Sequence, residues 1–272
     1  MPYKLSDLML GALLRCGSDF FESMILTSGS TTTFVNTLLE DDDDDQYNGA
    51  MLIVSKTTDG LAPQGEFTRI TDYASTSHTG TIDALTAALG AGDVVIIVVD
   101  TINKNNLISL ANSALLDVGT IQLRDESITS VSGQTEYALP AGINLRTPIR
   151  VYMQTDKVTV GDEAWQLQNG WNIQRGASPK LQLGFLPDVG YKIAIEYFGF
   201  HPALAVYSDT INENVPTPLA ELILASKLFH FVGVVNDNMN AANSILADLD
   251  NARKLFPIEK APRVNKLLTW RK

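Results

Sequence analysis

The 272-residue sequence predicts a mixed, mainly β fold: two antiparallel β-sandwich or barrel-like units, an N-terminal helix, a linking helix and a C-terminal helix pair. Three observations predict it. Segments between Ile121 and Phe200 alternate large or apolar with polar residues at period two, and Gly, Pro, Asn or Asp separates them. A second set of short β-branched and aromatic runs lies between Ser23 and Asp100. Four other stretches space their apolar residues for a helix.

The first element is a helix within residues 1–22. Leu5, Leu8, Met9, Ala12 and Leu13 make one apolar stripe, Lys4 or Ser6 lies at its start and Gly17 at its stop. Cys16 falls at its end and reads as a small buried residue, with no histidine nearby in sequence to activate it.

Residues 23–102 read as the first β domain. Its strand candidates are 24–26, 31–35, 50–54, 67–73, 80–82 and 94–99, and Ser28-Gly29, Asn48-Gly49 and Asp59-Gly60 are its turn signals. Ala84–Leu89 reads as a helical turn or a loop. The run Glu40–Asp45 carries six of the 31 acidic residues, and their mutual repulsion predicts an exposed loop. It lacks the spaced ligand pattern of a calcium-binding loop.

Residues 103–256 group the linking helix, the second β domain and a helical hairpin. Leu107, Leu110, Ala111, Ala114 and Leu115 define the linking helix, which is expected to end near Gly119 and pack on the second sandwich. The second domain's core is expected to draw on Tyr137, Val151, Trp165, Trp171, Leu181, Leu183, Ile193 and Ile195, with both tryptophans as inward anchors of a hairpin around Asn169-Gly170. Pro216 and Pro218 introduce a helix to about Val232 with Leu219, Leu222, Ile223, Ser226 and Phe229 or His230 on one face. Ile245, Leu249, Ala252 and Phe256 define its partner, which Pro257 ends.

Residues 257–272 form a basic arm. Lys260, Arg263, Lys266, Arg271 and Lys272 face only Glu259, and Val264, Leu267, Leu268 and Trp270 interrupt the charges. This pattern predicts docking on an acidic partner through Val264, Lys266, Leu267, Trp270 and Arg271, in a chain whose formal net charge is −11.

That acidic balance runs against free nucleic-acid binding, which needs cations for phosphate contacts. A single cysteine excludes an intrachain disulfide framework. The longest apolar run, Val94–Val99, has six residues, and the N-terminus lacks a signal-peptide pattern, so a cytosolic product without membrane insertion is expected. Nucleotide-binding glycine loops, zinc-protease and serine-hydrolase motifs are absent, and Gly90-Ala91-Gly92-Asp93 precedes a strand, the wrong context for a dinucleotide loop. His78, His201 and His230 lie in different predicted elements and read as structural. The acid pairs Asp125/Glu126 and Asp162/Glu163 would point to opposite faces of a strand. No enzyme, cofactor or metal site is expected.

The run SITSVSGQTEYALP at Ser127–Pro140 is followed by IRVYMQ, WQLQNGW, KLQLGFLPDVGYKIAIEYFGFHPAL and then SDTINENVP before a helix pair. In this order it resembles the neck or adaptor-type (head-to-tail connector) structural proteins of tailed bacteriophages. The earlier run from SGSTTTFVNTLLEDDDDDQYNG to GAGDVVII is similar to a β domain found with them, so the resemblance spans about Ile25–Phe256. It implies a non-enzymatic virion component assembled in the host cytoplasm, a homo-oligomeric ring (commonly a dodecamer) at the neck or tail. Portal and other neck or tail proteins would be its partners, and DNA would pass through without specific binding. The smallest adaptors lack so extensive a first β unit, which keeps open a β-sandwich binding module in the virion periphery that attaches fibres or binds glycan or a receptor.

Overall fold

The computed structural model describes residues 2–18, 20–38, 43–98, 102–140, 143, 148–155, 164–174, 176, 178–233 and 239–256. Two compact units emerge: one from Met1–Val118 with Pro202–Pro257, the other containing Gly119–His201. The predicted grouping of 103–256 therefore differs from the way the contacts cluster. The linking helix and the C-terminal helices belong with the first β unit, and the second is inserted between them along the chain.

In the first unit α1 (Leu5–Cys16) buries the predicted stripe of Leu5, Leu8, Met9, Ala12 and Leu13. The Lys4 amide donates to Asp7 Oδ2 at 2.8 Å, satisfying the helix start, and Gly17 ends it at φ 92°, a left-handed value that costs glycine little. Strands β1 (Phe21–Ile25), β2 (Ser28–Gly29), β3 (Thr33–Val35), β4 (Met51–Lys56), β5 (Phe67–Ala74), β6 (Thr79–Ile82) and β7 (Val94–Val98) form one antiparallel sheet. Its order is β1-β7-β4-β5-β6-β3-β2. Ser28-Gly29, expected as a turn, is the short edge strand instead.

The two edges are consecutive pieces of chain. Leu26 N–H still donates to Asp93 O, while Thr27 N–H donates to Val35 O, so the chain passes from one ladder directly to the other. No turn lays β1 beside β2 and no ladder pairs them, so the barrel-like closure expected from the sequence is not formed. Met24, Phe34, Leu52, Val54, Ile70, Tyr73, Val95 and Ile97 fill the core of this sheet. Residues 84–89 are loop.

Helix α2 (Lys104–Asp117) is capped by Asn103, whose Oδ1 accepts the Asn106 amide at 2.9 Å. It buries Leu107, Ala111, Ala114 and Leu115 against α1 and α3 (Thr217–Val232). The expectation that it packs on the second β unit is thus corrected. The amphipathic stripe fixed which face is buried and carried no information about the partner. Helix α3 also packs on α4 (Met239–Leu255), and this central place explains why Leu224, Ala225 and Leu228 are buried beside the predicted Leu219, Leu222, Ile223 and Phe229. His230 is exposed, and Phe256, past the end of α4, is exposed too, unlike Ile245, Leu249 and Ala252. The stretch 202–215 is pinned across this unit: Leu5 N–H donates to Asp209 O, Ile211 N–H to Tyr3 O, and the Asn112 carboxamide exchanges two hydrogen bonds with Leu204.

The second unit has two antiparallel sheets. One orders β11 (Trp165–Gln168), β10 (Pro148–Gln154), β14 (Lys192–Gly199) and β8 (Ile121–Thr129); the other orders β12 (Trp171–Gln174), β13 (Lys180–Leu183) and β9 (Glu136–Ala138). Val151, Ile193 and Ile195 from the first meet Tyr137, Leu181 and Leu183 from the second in one core, as the period-two pattern predicts. The expected hairpin and the inward placement of Trp165 are not observed, whereas Trp171 does pack against the core. Residues 165–174 are not a hairpin, because β11 pairs with β10 in one sheet and β12 with β13 in the other. Trp171 packs half-buried against the core, whereas Trp165 lies on the opposite face of its sheet.

Candidate functional site

The face around Trp165 follows from strand register. On β10, Val151 and Met153 turn to the core, so Tyr152 and Gln154 turn away from it. Their partners on β11 are Leu167 and Trp165, which share that outer face. On β14 and β8, Glu196 and Arg124 are directly paired and continue it. Tyr152, Trp165, Leu167 and Arg124, contributed by three of the four strands, thus stand on one side, where Leu167 and Arg124 are exposed, Tyr152 and Trp165 half-buried, and Gln154 beside them buried.

The geometry is ordered. Arg124 Cζ lies 4.4 Å from the Trp165 ring centroid and 5.5 Å from that of Tyr152, within cation–π range. Its Nε donates to Glu126 Oε1 at 2.7 Å, an ion pair that restrains the guanidinium. The Tyr152 hydroxyl donates to Glu196 Oε2 at 3.4 Å, with Arg150 Nη1 3.9 Å from the same oxygen. Beside these polar groups Leu167 is 46 % exposed. Tryptophan, tyrosine and arginine are the side chains that dominate protein interfaces, since each combines a large contact area with a polar handle. With its charges paired locally, this surface suits contact with another protein. The sequence reading missed Arg124 and Tyr152. The signal was present in the outward positions of Q-L-R, V-Y-M and W-Q-L, which carry Arg, Tyr and Trp, but only the assignment of Trp165 to the outer face reveals it.

The other residues singled out by sequence are placed as follows. Cys16 is buried, its Sγ 3.7 Å from Ala225 O, and burial pushes its thiol up to about 12. Asp93 makes the Gly90–Asp93 turn: it is buried, with Oδ2 accepting the Gly90 amide and Oδ1 the Thr58 amide, each at 2.8 Å. His78 adopts φ 50° at the end of a 3-10 turn, with its Nδ1 buried and unbonded among the described residues, and His201 is buried.

Of the acidic run, residues 40–42 lie outside the described residues; Asp43, Asp44 and Asp45 are exposed. Asp44 Oδ1 accepts the Ser75 amide at 3.0 Å and Asp45 Oδ1 accepts Asn48 Nδ2 at 2.7 Å, so these carboxylates shape turns. Among the described residues no group of three His, Cys, Asp or Glu could hold a metal ion. On β8, Asp125 accepts Ser127 while Glu126 pairs with Arg124, so the two do not converge. Asp162, Glu163 and the predicted arm residues Val264, Lys266, Leu267, Trp270 and Arg271 lie outside the described residues. No helix among those described is long and apolar enough to cross a membrane.

The chain matches no protein-family model and no curated protein.

Proposed function

We propose that this protein is a non-enzymatic structural component of a tailed-phage virion, a neck or adaptor protein that forms a ring between portal and tail around the DNA channel. The observation that carries the assembly part of this reading is the partly exposed Trp165–Arg124–Tyr152 face. The phage part rests on the ordered run of motifs from Ile25 to Phe256, and a core shared by both sheets of the second unit supports its reading as a β-sandwich. A net charge of −11 suits a channel wall that DNA slides past, because like charge discourages sticking. The basic arm 257–272 is a second contact in this proposal, guided onto an acidic neighbour and anchored by its apolar residues.

Arg124→Glu and Trp165→Ala test the face. Each is expected to leave the melting transition within a few degrees of the parent, because both side chains are partly exposed, and to weaken self-association or portal binding by at least tenfold, or about 1.4 kcal/mol. Unchanged association by both variants in analytical ultracentrifugation would remove this face from the assembly.

A peripheral module that attaches fibres or binds glycan or a receptor is the second reading, favoured by a partly exposed tryptophan on the outer face of a sheet. A sugar stacking on Trp165 would have to displace Arg124 from that ring. Trp171 is unsuited to the test because it packs against the core. Glycan-array binding lost in Trp165→Ala would support this reading, and blank arrays with the parent protein would count against it.

A further inference from the structure

We infer that Asn169 is a site of spontaneous deamidation, and that the folded chain protects its only other Asn-Gly pair. The sequence holds two such pairs, Asn48-Gly49 and Asn169-Gly170. In this chemistry the backbone nitrogen of the glycine, having lost its proton to hydroxide, attacks Cγ of the asparagine. A C–N bond forms, ammonia leaves and a succinimide ring closes. Water then opens the ring at either carbonyl, giving aspartate or isoaspartate. No electrons change hands; one water is consumed and one ammonia released. Glycine favours the step because it has no Cβ to crowd the ring and its backbone turns freely.

The two sites differ in what must be broken first. At Asn48 the attacking group is engaged: Gly49 N–H donates to Ile70 O at 2.9 Å. The side chain is held as well, with Nδ2 donating to Asp45 Oδ1 at 2.7 Å and the Asn48 amide donating to Asp45 O at 3.0 Å. Ring closure there requires the turn to open. At Asn169 both residues are exposed, and among the described residues neither the Asn169 carboxamide nor the Gly170 N–H makes a hydrogen bond. The bond found here among the described residues, Gly184 N–H to Gly170 O at 2.5 Å, holds the carbonyl on the far side of Gly170 and leaves the attacking nitrogen and the Asn169 carboxamide unengaged.

The position gives the reaction consequence. Asn169 directly follows β11, which carries Trp165 and Leu167, and joins it to β12 in the other sheet. Deamidation places a new carboxylate at that crossing, and the isoaspartate product also lengthens the backbone by one carbon. Sequence, exposure and hydrogen bonding carry this inference, and it stands whether or not the aromatic face serves assembly.

The test is incubation of the full-length folded protein in mildly alkaline buffer, with peptide mass mapping and chromatographic separation of the aspartate and isoaspartate products, beside the same protein unfolded in urea. Gly170→Ala is the control variant: a Cβ there meets open space, and Gly170 is not among the positive-φ glycines, so the fold tolerates it while ring closure is hindered. The expected result is conversion at Asn169 severalfold faster than at Asn48 in the folded protein, comparable rates in urea, and a severalfold loss at Asn169 in Gly170→Ala. Equal rates in the folded protein, a faster Asn48, or an Asn169 that stays intact when folded but reacts in urea would overturn the inference. So would undiminished conversion in Gly170→Ala.

Discussion

Glu221 reverses the sign of a substitution that ordinarily helps a helix. Replacing an interior helical glycine by alanine stabilises by about 0.8–1.0 kcal/mol in open surroundings. At Gly11 of α1 the new Cβ would sit 2.7 Å from Glu221 Oε1. That carboxylate accepts the Tyr3 hydroxyl at 2.5 Å and pairs with Arg15 Nη2 at 2.7 Å, tying α1 to α3. Gly11→Ala is therefore expected to lower the urea-unfolding free energy by roughly 1–2 kcal/mol, as lost hydrogen bonds outweigh the helix gain. In a Glu221→Ala background the same change should become neutral or stabilising. A stabilising Gly11→Ala in the parent would show that the carboxylate moves aside without loss.

Two residues of the same helical region set an alkaline limit. Burial pushes the Cys16 thiol from 9.0 up to about 12, and burial with the Glu221 bond and charge holds the Tyr3 hydroxyl well above its ordinary 10.0. Both groups keep their proton longer folded than unfolded, so the unfolded chain binds fewer protons once pH passes the ordinary values. Their contribution to stability is intact below pH 9 and falls as pH rises, Cys16 acting first. Cys16→Ala is expected to flatten the decline of Tm between pH 9 and pH 12. An unchanged slope would mean that the thiol ionises freely in the folded chain.

At the scale of elements, sequence periodicity resolved the interiors of strands and helices and failed at their pairings. Val151, Leu181, Ile193 and Ile195 were legible because alternation places them on one face whatever strand lies beside them. The WQLQNGW run was not, since Asn-Gly is a strong hairpin signal in isolation. Here it carries the chain across to the other sheet, a choice made by the distant strands β10 and β13. The same blindness hid the face of Trp165, Tyr152 and Arg124, assembled from residues 13 to 41 positions apart.

Element pairing also explains how the second unit is inserted. Strands β8 and β14 open and close it side by side, with Ile121 opposite Gly199 in register. A unit whose ends meet and which holds its own core suits excision. A fragment spanning 119–201 is expected to fold with a cooperative thermal transition and dispersed amide spectra. A fragment without cooperative melting would show that this core depends on the rest of the chain.

At the scale of the whole molecule, the net charge of −11, the basic terminal segment and the partly exposed aromatic face motivate the proposal of a subunit that gains its function by joining others. In the proposed role, the net negative charge would keep DNA mobile and the aromatic face would supply contact area for neighbours. Mass photometry of the purified full-length protein, alone and mixed with portal rings, tests this claim most directly. The account predicts a closed oligomer of one defined stoichiometry, formed alone or on the portal and weakened only in part by salt because apolar anchors share the contact. A protein that stays monomeric, ignores portal rings and is missing from intact virions would contradict it.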